Sequence, residues 1–500
     1  MKEIQLTERQ KECVEFSNER DLLVTGVAGS GKSLVLIRRA INTCRKAHEK
    51  GKRVKIGLFT YTNALTHYND EIVKEVEPEL SENIHVLTLD STATQLHKKM
   101  FPNSGMISPL YDGSKPFKNI LDAVIKKHFS GISDDKLNKY LSMSKRDWLA
   151  QELCWIKQHM YNKVEEYQEC VRKGRGREVL RKVHRPFVFE IYEKFYQELK
   201  RKHLWSIDMI YEDLYKNRSR IPEESKYDMV LIDEAQDLSL SKMLLAKSLT
   251  NISITISADF AQKIYTTGFT WKEIGIDIKG SSASKKLKGT YRNTRQIAQL
   301  ANNLLSKKTD KDDYEDGDIT DIELPNVEGP KPKIIYCSSR EQQKAEILNL
   351  IKLIQSKSPN ATIGILLLQK RQLDDVEANW LCGEVEYERF DLHILKPGVK
   401  LLTYHSSKGL EFDYVILPMV ERDYFPFYPQ RLELTSDVME DCDNKSRALL
   451  FVGMTRAKQQ LYIYTSSSRD SQPSKFLEEL DPELCEFVGK KTTKSSFNLF

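Results

Sequence analysis

Leu22-Leu23-Val24-Thr25-Gly26-Val27-Ala28-Gly29-Ser30-Gly31-Lys32-Ser33 runs from an apolar strand into the spacing GxxxxGKS, and the helical stretch Leu34 to Ala40 follows. Strand, glycine loop and helix come in the order that a phosphate cradle needs. Glycines let the backbone double back so that its N–H groups and the helix N-terminus face phosphate oxygens. In this reading the loop of Gly26, Val27, Ala28, Gly29, Ser30 and Gly31 wraps the phosphates. Lys32 reaches the terminal ones, and the Ser33 hydroxyl is placed to ligate Mg2+.

Outward from this loop, apolar runs at Leu22 to Thr25, Ile56 to Thr60 and His85 to Leu89 alternate with helical segments, the pattern of an α/β domain with a largely parallel sheet. From Phe101 to Lys202 the chain turns to charged, aromatic-rich helical sequence, read as an inserted helical subdomain. Strand-like sequence returns at Met229 to Ile232 and at Ile252 to Ser257. The first of these ends in Asp233-Glu234-Ala235-Gln236-Asp237 and the second in Ala258-Asp259, at the strand ends where open parallel sheets bind ligands. A polar, acidic stretch, Ser306 to Gly329, reads as a linker, and a second α/β pattern without its own GKS loop follows it. The expected division is 1–100 with 203–285 as the first nucleotide-binding domain and 101–202 as the helical insertion. The second domain is expected at 286–305 with 330–470, the linker at 306–329 and a C-terminal tail at 471–500.

The chain has 500 residues, 40% hydrophobic and 30% charged, enough for three or four domains of a water-soluble protein. Its N-terminus, MKEIQLTERQ, is charged, and no apolar run approaches the roughly 18 residues of a membrane span. Cytoplasmic location is therefore the expectation. The eight cysteines are scattered with no CxxC pair, which argues against a zinc ribbon, an iron–sulfur cluster or a disulfide framework. A net charge of +5 permits a polyanionic partner without establishing one.

Hydrolysis of a nucleoside triphosphate needs a magnesium site and a group to orient water, and adjacent carboxylates at a strand tip supply both. Asp233 is the candidate for magnesium and Glu234 for the attacking water.

In motif order the chain resembles the UvrD/Rep-type superfamily 1 DNA helicases. The GKS loop and DEAQD look like motifs I and II, and Leu6-Thr7-Glu8-Arg9-Gln10 like the Q motif, in which the glutamine, here Gln10, reads adenine. Thr60-Tyr61-Thr62-Asn63 resembles motif Ia, with Tyr61 and Asn63 on single-stranded DNA. Asp259-Phe260-Ala261-Gln262-Lys263-Ile264-Tyr265 resembles motif III, with Gln262 sensing the γ-phosphate. Thr290-Tyr291-Arg292-Asn293-Thr294 looks like motif IV, with Tyr291 stacking on adenine and Arg292 reaching the γ-phosphate. His405 to Asp413, HSSKGLEFD, is similar to motif V, with His405 facing DNA and Glu411 the ribose. Val452 to Ala457, VGMTRA, is similar to motif VI, with Arg456 as a second arginine finger.

The resemblance implies two RecA-like domains that bind ATP and Mg2+, with movement 3′ to 5′ along single-stranded DNA. Positive charge on the γ-oxygens is what a dissociative phosphoryl transfer requires, which supports roles for Arg292 and Arg456 independently. Tyr265, Trp271 and the basic run Arg172 to Arg185 are further DNA candidates, although core packing accounts equally well for Trp271 and a solvated face for the basic run.

Three departures stand out. Ala258 replaces the glycine that ordinarily opens motif III, and Lys445-Ser446-Arg447 replaces acidic residues before motif VI. Between Tyr291 and His405 there is room for little beyond the second α/β domain, so the large helical domain that family helicases carry there is expected to be absent or vestigial. No nuclease domain is expected after motif VI. The readings left open are a DNA translocase and helicase, an ATP-switched subunit of a nuclease or defence complex, and an RNA-directed motor.

Overall fold

A computed structural model describes residues 5–27, 29–60, 62–106, 108–111, 113–172, 180–259, 274–275, 283–287, 289–290, 292–307, 324–389, 396–428, 436–468 and 471–489. The chain divides into two compact units. One comprises Met1–Gly26, Lys32–Leu287 and Tyr428–Asp441, the other Val27–Gly31, Lys288–Phe427 and Cys442–Phe500.

The first unit holds a six-stranded sheet built from β1 (Leu22–Gly26), β2 (Ile56–Thr60), β3 (Ile84–Thr88), β4 (Tyr227–Ile232), β5 (Thr250–Ala258) and β6 (Ser284–Leu287), in the order β3-β2-β4-β5-β1-β6. Every pairing is parallel. A parallel sheet must be covered on both faces, and successive residues of each strand divide between two cores. Phe59, Val230 and Ile232 join one apolar cluster, while Ile56, Leu58, Met229 and Leu231 join another with Leu36, Ile37 and Ile41 of helix Lys32–Glu49. Because strands with the same polarity present their C-terminal ends along one edge, Gly26, Ile232 and Ala258 finish side by side, with β4 and β1 flanking β5.

Between β3 and β4 the described residues are mostly helical. Helices Lys115–His128, Arg146–Gln158 and Arg185–Arg201 pack Leu121, Leu149, Leu153 and Phe195 into an apolar core of their own, joined by Met209 of helix Ile207–Lys216.

The second unit holds seven parallel strands: β7 (Lys333–Cys337), β8 (Thr362–Leu367), β9 (Tyr387–Arg389), β10 (Gly398–Thr403), β11 (Phe412–Leu417), β12 (Ala457–Ser466) and β13 (Glu486–Val488), in the order β13-β7-β12-β11-β8-β10-β9. Among the described residues from 292 to 405, the helices Arg295–Ser306, Arg340–Lys357 and Lys370–Val376 alternate with strands of this sheet.

Several boundaries differ from those read in the sequence. β6 pairs with β1, so the first sheet runs to Leu287 instead of 285. The segment read as a C-terminal tail carries helix Lys475–Glu478 and β13, which pairs with β7. That strand is three residues long, Glu486-Phe487-Val488, too short to show an alternating pattern. The second unit's long helix, Ser436–Met454, opens with SDVMEDCDN, a stretch that shows no apolar stripe in the sequence. Residues 324–329 of the expected linker meet the helix that precedes them: the Val327 carbonyl accepts the Arg295 N–H at 2.8 Å, and Gly329 donates its N–H to the Gln296 carboxamide oxygen at 2.8 Å.

One buried side chain ties the start of the chain to the first sheet. Arg39, on helix Lys32–Glu49, donates to the carbonyls of Cys13 (3.1 Å), Phe16 (2.7 Å) and Ser17 (2.9 Å) and to the Thr255 hydroxyl of β5 (3.0 Å). Burial pushes its pKa down to about 10, leaving it charged at neutral pH. Replacing it leaves buried acceptors without a donor. Arg39→Met is expected to cost about 3 kcal/mol in urea unfolding, and Arg39→Lys is expected to recover little of this because one ammonium cannot reproduce the planar fork.

Candidate nucleotide site and strand-end loops

β1 ends at Gly26, where the chain makes the phosphate-loop turn. Gly29 and Gly31 have φ of 76° and 83°, a region that side chains with a Cβ avoid, which explains glycine at both positions. Lys32 opens the following helix, is buried, and folds back to donate to the Gly26 carbonyl at 2.9 Å. Its ammonium also pairs with the Asp259 carboxylate at 3.2 Å. The adjacent Ser33 hydroxyl donates to Asp233 at 2.5 Å.

Asp233 follows β4 directly. Its other carboxylate oxygen accepts from the Ser257 hydroxyl of β5 and from the Glu234 N–H at 3.1 Å. Burial, and then the negative charge of Glu234, push the Asp233 carboxyl above its ordinary value despite the two serines and Lys32. A buried carboxylate beside a serine hydroxyl is a hard-oxygen donor pair, which fits Mg2+, an ion that keeps most of its remaining ligands as water and phosphate oxygen. Glu234 takes φ of 56°, in the left-handed region. Sequence reasoning passed over Gln236 and Ser257, and placed Asp259 at a strand end without a partner. Ser257 and Asp259 lie within one residue of the end of β5, and Gln236 lies four residues past the end of β4.

Gln10 is buried, and its carboxamide oxygen accepts the Thr7 N–H at 3.0 Å in a capping box that starts helix Glu8–Glu15. Asn63 is exposed at the first turn of helix Asn63–Val76, whose N-cap is Thr62.

In the second unit, Arg292 donates from Nε to Glu411 at 2.7 Å. Asn293 donates to the carbonyls of Thr455, at 3.1 Å, and Ala457, which brings the segment from Arg292 to Thr294 beside Arg456. Arg456 is buried and donates to the Val452 carbonyl (2.9 Å), the Leu410 carbonyl (3.3 Å) and the Thr455 hydroxyl (3.2 Å). Burial raises the pKa of Glu411, but Arg292, Lys458 and Arg456 outweigh it and hold the carboxyl below its usual range. Arg292, Glu411 and Arg456 therefore form one cluster, to which sequence reasoning had not assigned Lys458. His405 lies just past β10, half-buried; burial and Lys408 lower its pKa. Ala28, Tyr61, Gln262, Tyr265, Trp271, Tyr291 and residues 173–179 of the basic run lie outside the described residues.

The model of the UvrD/REP helicase N-terminal domain matches residues 6–270, just over half of the chain, and that of the UvrD-like helicase C-terminal domain matches residues 384–468. The chain belongs to the UvrD/REP helicase family. It is 28% identical over 167 residues to the ATP-dependent DNA helicase PcrA of Bacillus subtilis, covering 32% of this chain and 21% of that protein. It is 36% identical over 97 residues to the ATP-dependent DNA helicase Rep of Buchnera aphidicola, covering 18% of this chain and 14% of that one. The chain thus spans about a fifth or less of the length of these curated relatives. A crystal structure of the C-terminal domain of a possible DNA helicase from Lactobacillus matches at 19% identity and a TM-score of 0.29, covering 40% of this chain and 98% of that one. Among the described residues no helix is long and apolar enough to cross a membrane.

The environment of Asp233 sets a trade between stability and function. Its folded-state pKa lies above the unfolded value, so the ionised carboxylate costs stability at neutral pH. That cost disappears as pH falls below the unfolded pKa. Asp233→Asn is expected to melt at a higher temperature than the wild type at pH 7.5, with the gap closing as pH falls through the carboxylate range. Thermal unfolding across pH checks both.

Proposed function

We propose that the chain is an ATP-dependent DNA translocase and helicase that moves 3′ to 5′ on single-stranded DNA. The observation that carries this reading is the buried Lys32–Asp259 and Ser33–Asp233 arrangement at the strand ends of the first sheet. Membership of a helicase family and the Arg292–Glu411–Arg456 cluster of the second unit support it.

In this reading the N–H groups of the loop from Gly26 to Gly31 hold the phosphates, and Lys32 leaves Asp259 for the terminal ones. Ser33 and Asp233 would hold Mg2+, which would supply positive charge to the phosphates when bound. Glu234 orients water and accepts its proton as the water attacks phosphorus and the bond to the leaving ADP oxygen breaks. Arg292 and Arg456 stabilise charge on the γ-oxygens, as Gln262 senses them and Gln10, Tyr291 and Glu411 hold the nucleoside. Tyr61, Asn63, Tyr265, Trp271 and His405 serve the strand. Hydrolysis removes the group that both arginines grip, and the loss of that interaction moves the strand along.

ATP turnover measured with and without oligo-dT is the direct test. Turnover is expected to rise at least about tenfold with DNA. Lys32→Ala should abolish it, and Arg292→Ala or Arg456→Ala should reduce it about 10³-fold with nucleotide binding retained. No stimulation by any nucleic acid would contradict the reading. Equal stimulation by RNA would redirect it to an RNA motor, and nucleotide-gated complex formation without turnover would redirect it to a switch.

A further inference from the structure

Gln236 uses both ends of its carboxamide. Nε2 donates to the Glu234 carboxylate, and Oε1 accepts the Asp259 N–H at 3.0 Å. A carboxylate takes only donors and a peptide N–H only acceptors, so the amide sits one way round. Asp259 in turn holds Lys32 at 3.2 Å. Lys32, Asp259, Gln236 and Glu234 therefore form an unbroken polar chain across the ends of β1, β5 and β4, with every side chain less than a tenth exposed. In so dry a place each bond restrains its neighbour strongly.

The backbone around Glu234 adds a second constraint. Glu234 sits in the left-handed region, and its carbonyl accepts the Asp237 N–H at 3.1 Å in a short turn that carries Gln236 between them. The turn sets where the Glu234 side chain starts, and Gln236 fixes where it ends.

We propose that Gln236 is a positioning residue that aims Glu234 and makes its aim depend on Lys32. This rests on the ATPase reading above. A polyphosphate carries more negative charge than one carboxylate and draws Lys32 away from Asp259. Asp259 then loses its cation and meets phosphate charge instead, so the end of β5 shifts. The Asp259 N–H moves with it, and Gln236 carries the displacement to Glu234. The base is aimed for water attack only when the phosphate site is filled, which restrains futile proton transfer in its absence.

Steady-state ATP turnover with oligo-dT, binding of a fluorescent ATP analogue and melting temperature are measured for the wild type, Gln236→Ala and Gln236→Glu. Gln236→Ala is expected to bind nucleotide within about twofold of the wild type while kcat falls about 10- to 100-fold, the loss that a misaimed group produces. Gln236→Glu keeps an acceptor for the Asp259 N–H but has no donor for the Glu234 carboxylate, so its kcat is expected to fall as in Gln236→Ala with nucleotide binding retained. Wild-type kcat in either variant would overturn the proposal, as would a loss of nucleotide binding and melting temperature in step with kcat. If the wild type itself does not turn over ATP, the ATPase reading fails and this proposal fails with it. If only the variants match a working wild type, this proposal fails alone.

Discussion

Everything at the first unit's strand ends depends on keeping one carboxylate charged where water is scarce. Asp233 is buried at the tip of β4, and its neighbour Glu234 repels it. Isolated, such a group would neutralise itself by taking up a proton. Ser33 from the phosphate-loop helix, Ser257 from β5 and the positive field of Lys32 supply what water cannot. They come from two elements, the helix that follows β1 and strand β5, and the parallel order β4-β5-β1 brings both to Asp233 at the tip of β4. The sheet's hydrophobic faces provide the stability, and its edge spends part of it on an arrangement suited to a cation and a phosphate.

The same economy governs the second unit. Arg456 is among the largest fully buried side chains, yet its guanidinium is directed by the carbonyls of Leu410 and Val452 and by Thr455. Asn293 bridges to the carbonyls on either side of Arg456, and Arg292 pairs with Glu411. Positive charge gathered around one carboxylate keeps Glu411 ionised and the arginines ordered before any ligand arrives, and such preorganisation is what charge stabilisation in a transition state needs.

Much of this was legible in the residues. The loop from Gly26 to Ser33 and the apolar runs of β1, β4, β8 and β11 are dense local signals, and the two-sheet α/β fold followed from them. What stayed hidden has physical causes. β13 is too short and too charged to show a period, and the acidic first half of helix Ser436–Met454 shows no stripe. Gln236 looked like one more polar residue in an acidic turn. Its role appears only when Asp259, 23 positions away, is brought beside it by strand pairing. Gln10 shows the reverse: the sequence points to adenine, and the structure adds a local part for it as the capping-box partner of Thr7.

If ATP turnover at these strand ends drives movement, the number of nucleotides crossed must set the time taken. The most direct measurement is stopped-flow dissociation from oligo-dT strands of increasing length, each labelled at the 5′ end, after mixing the pre-bound protein with ATP and a DNA trap. The account predicts a lag before the fluorescence change that lengthens in proportion to strand length. A lag that stays constant across lengths while ATP is being hydrolysed would contradict it.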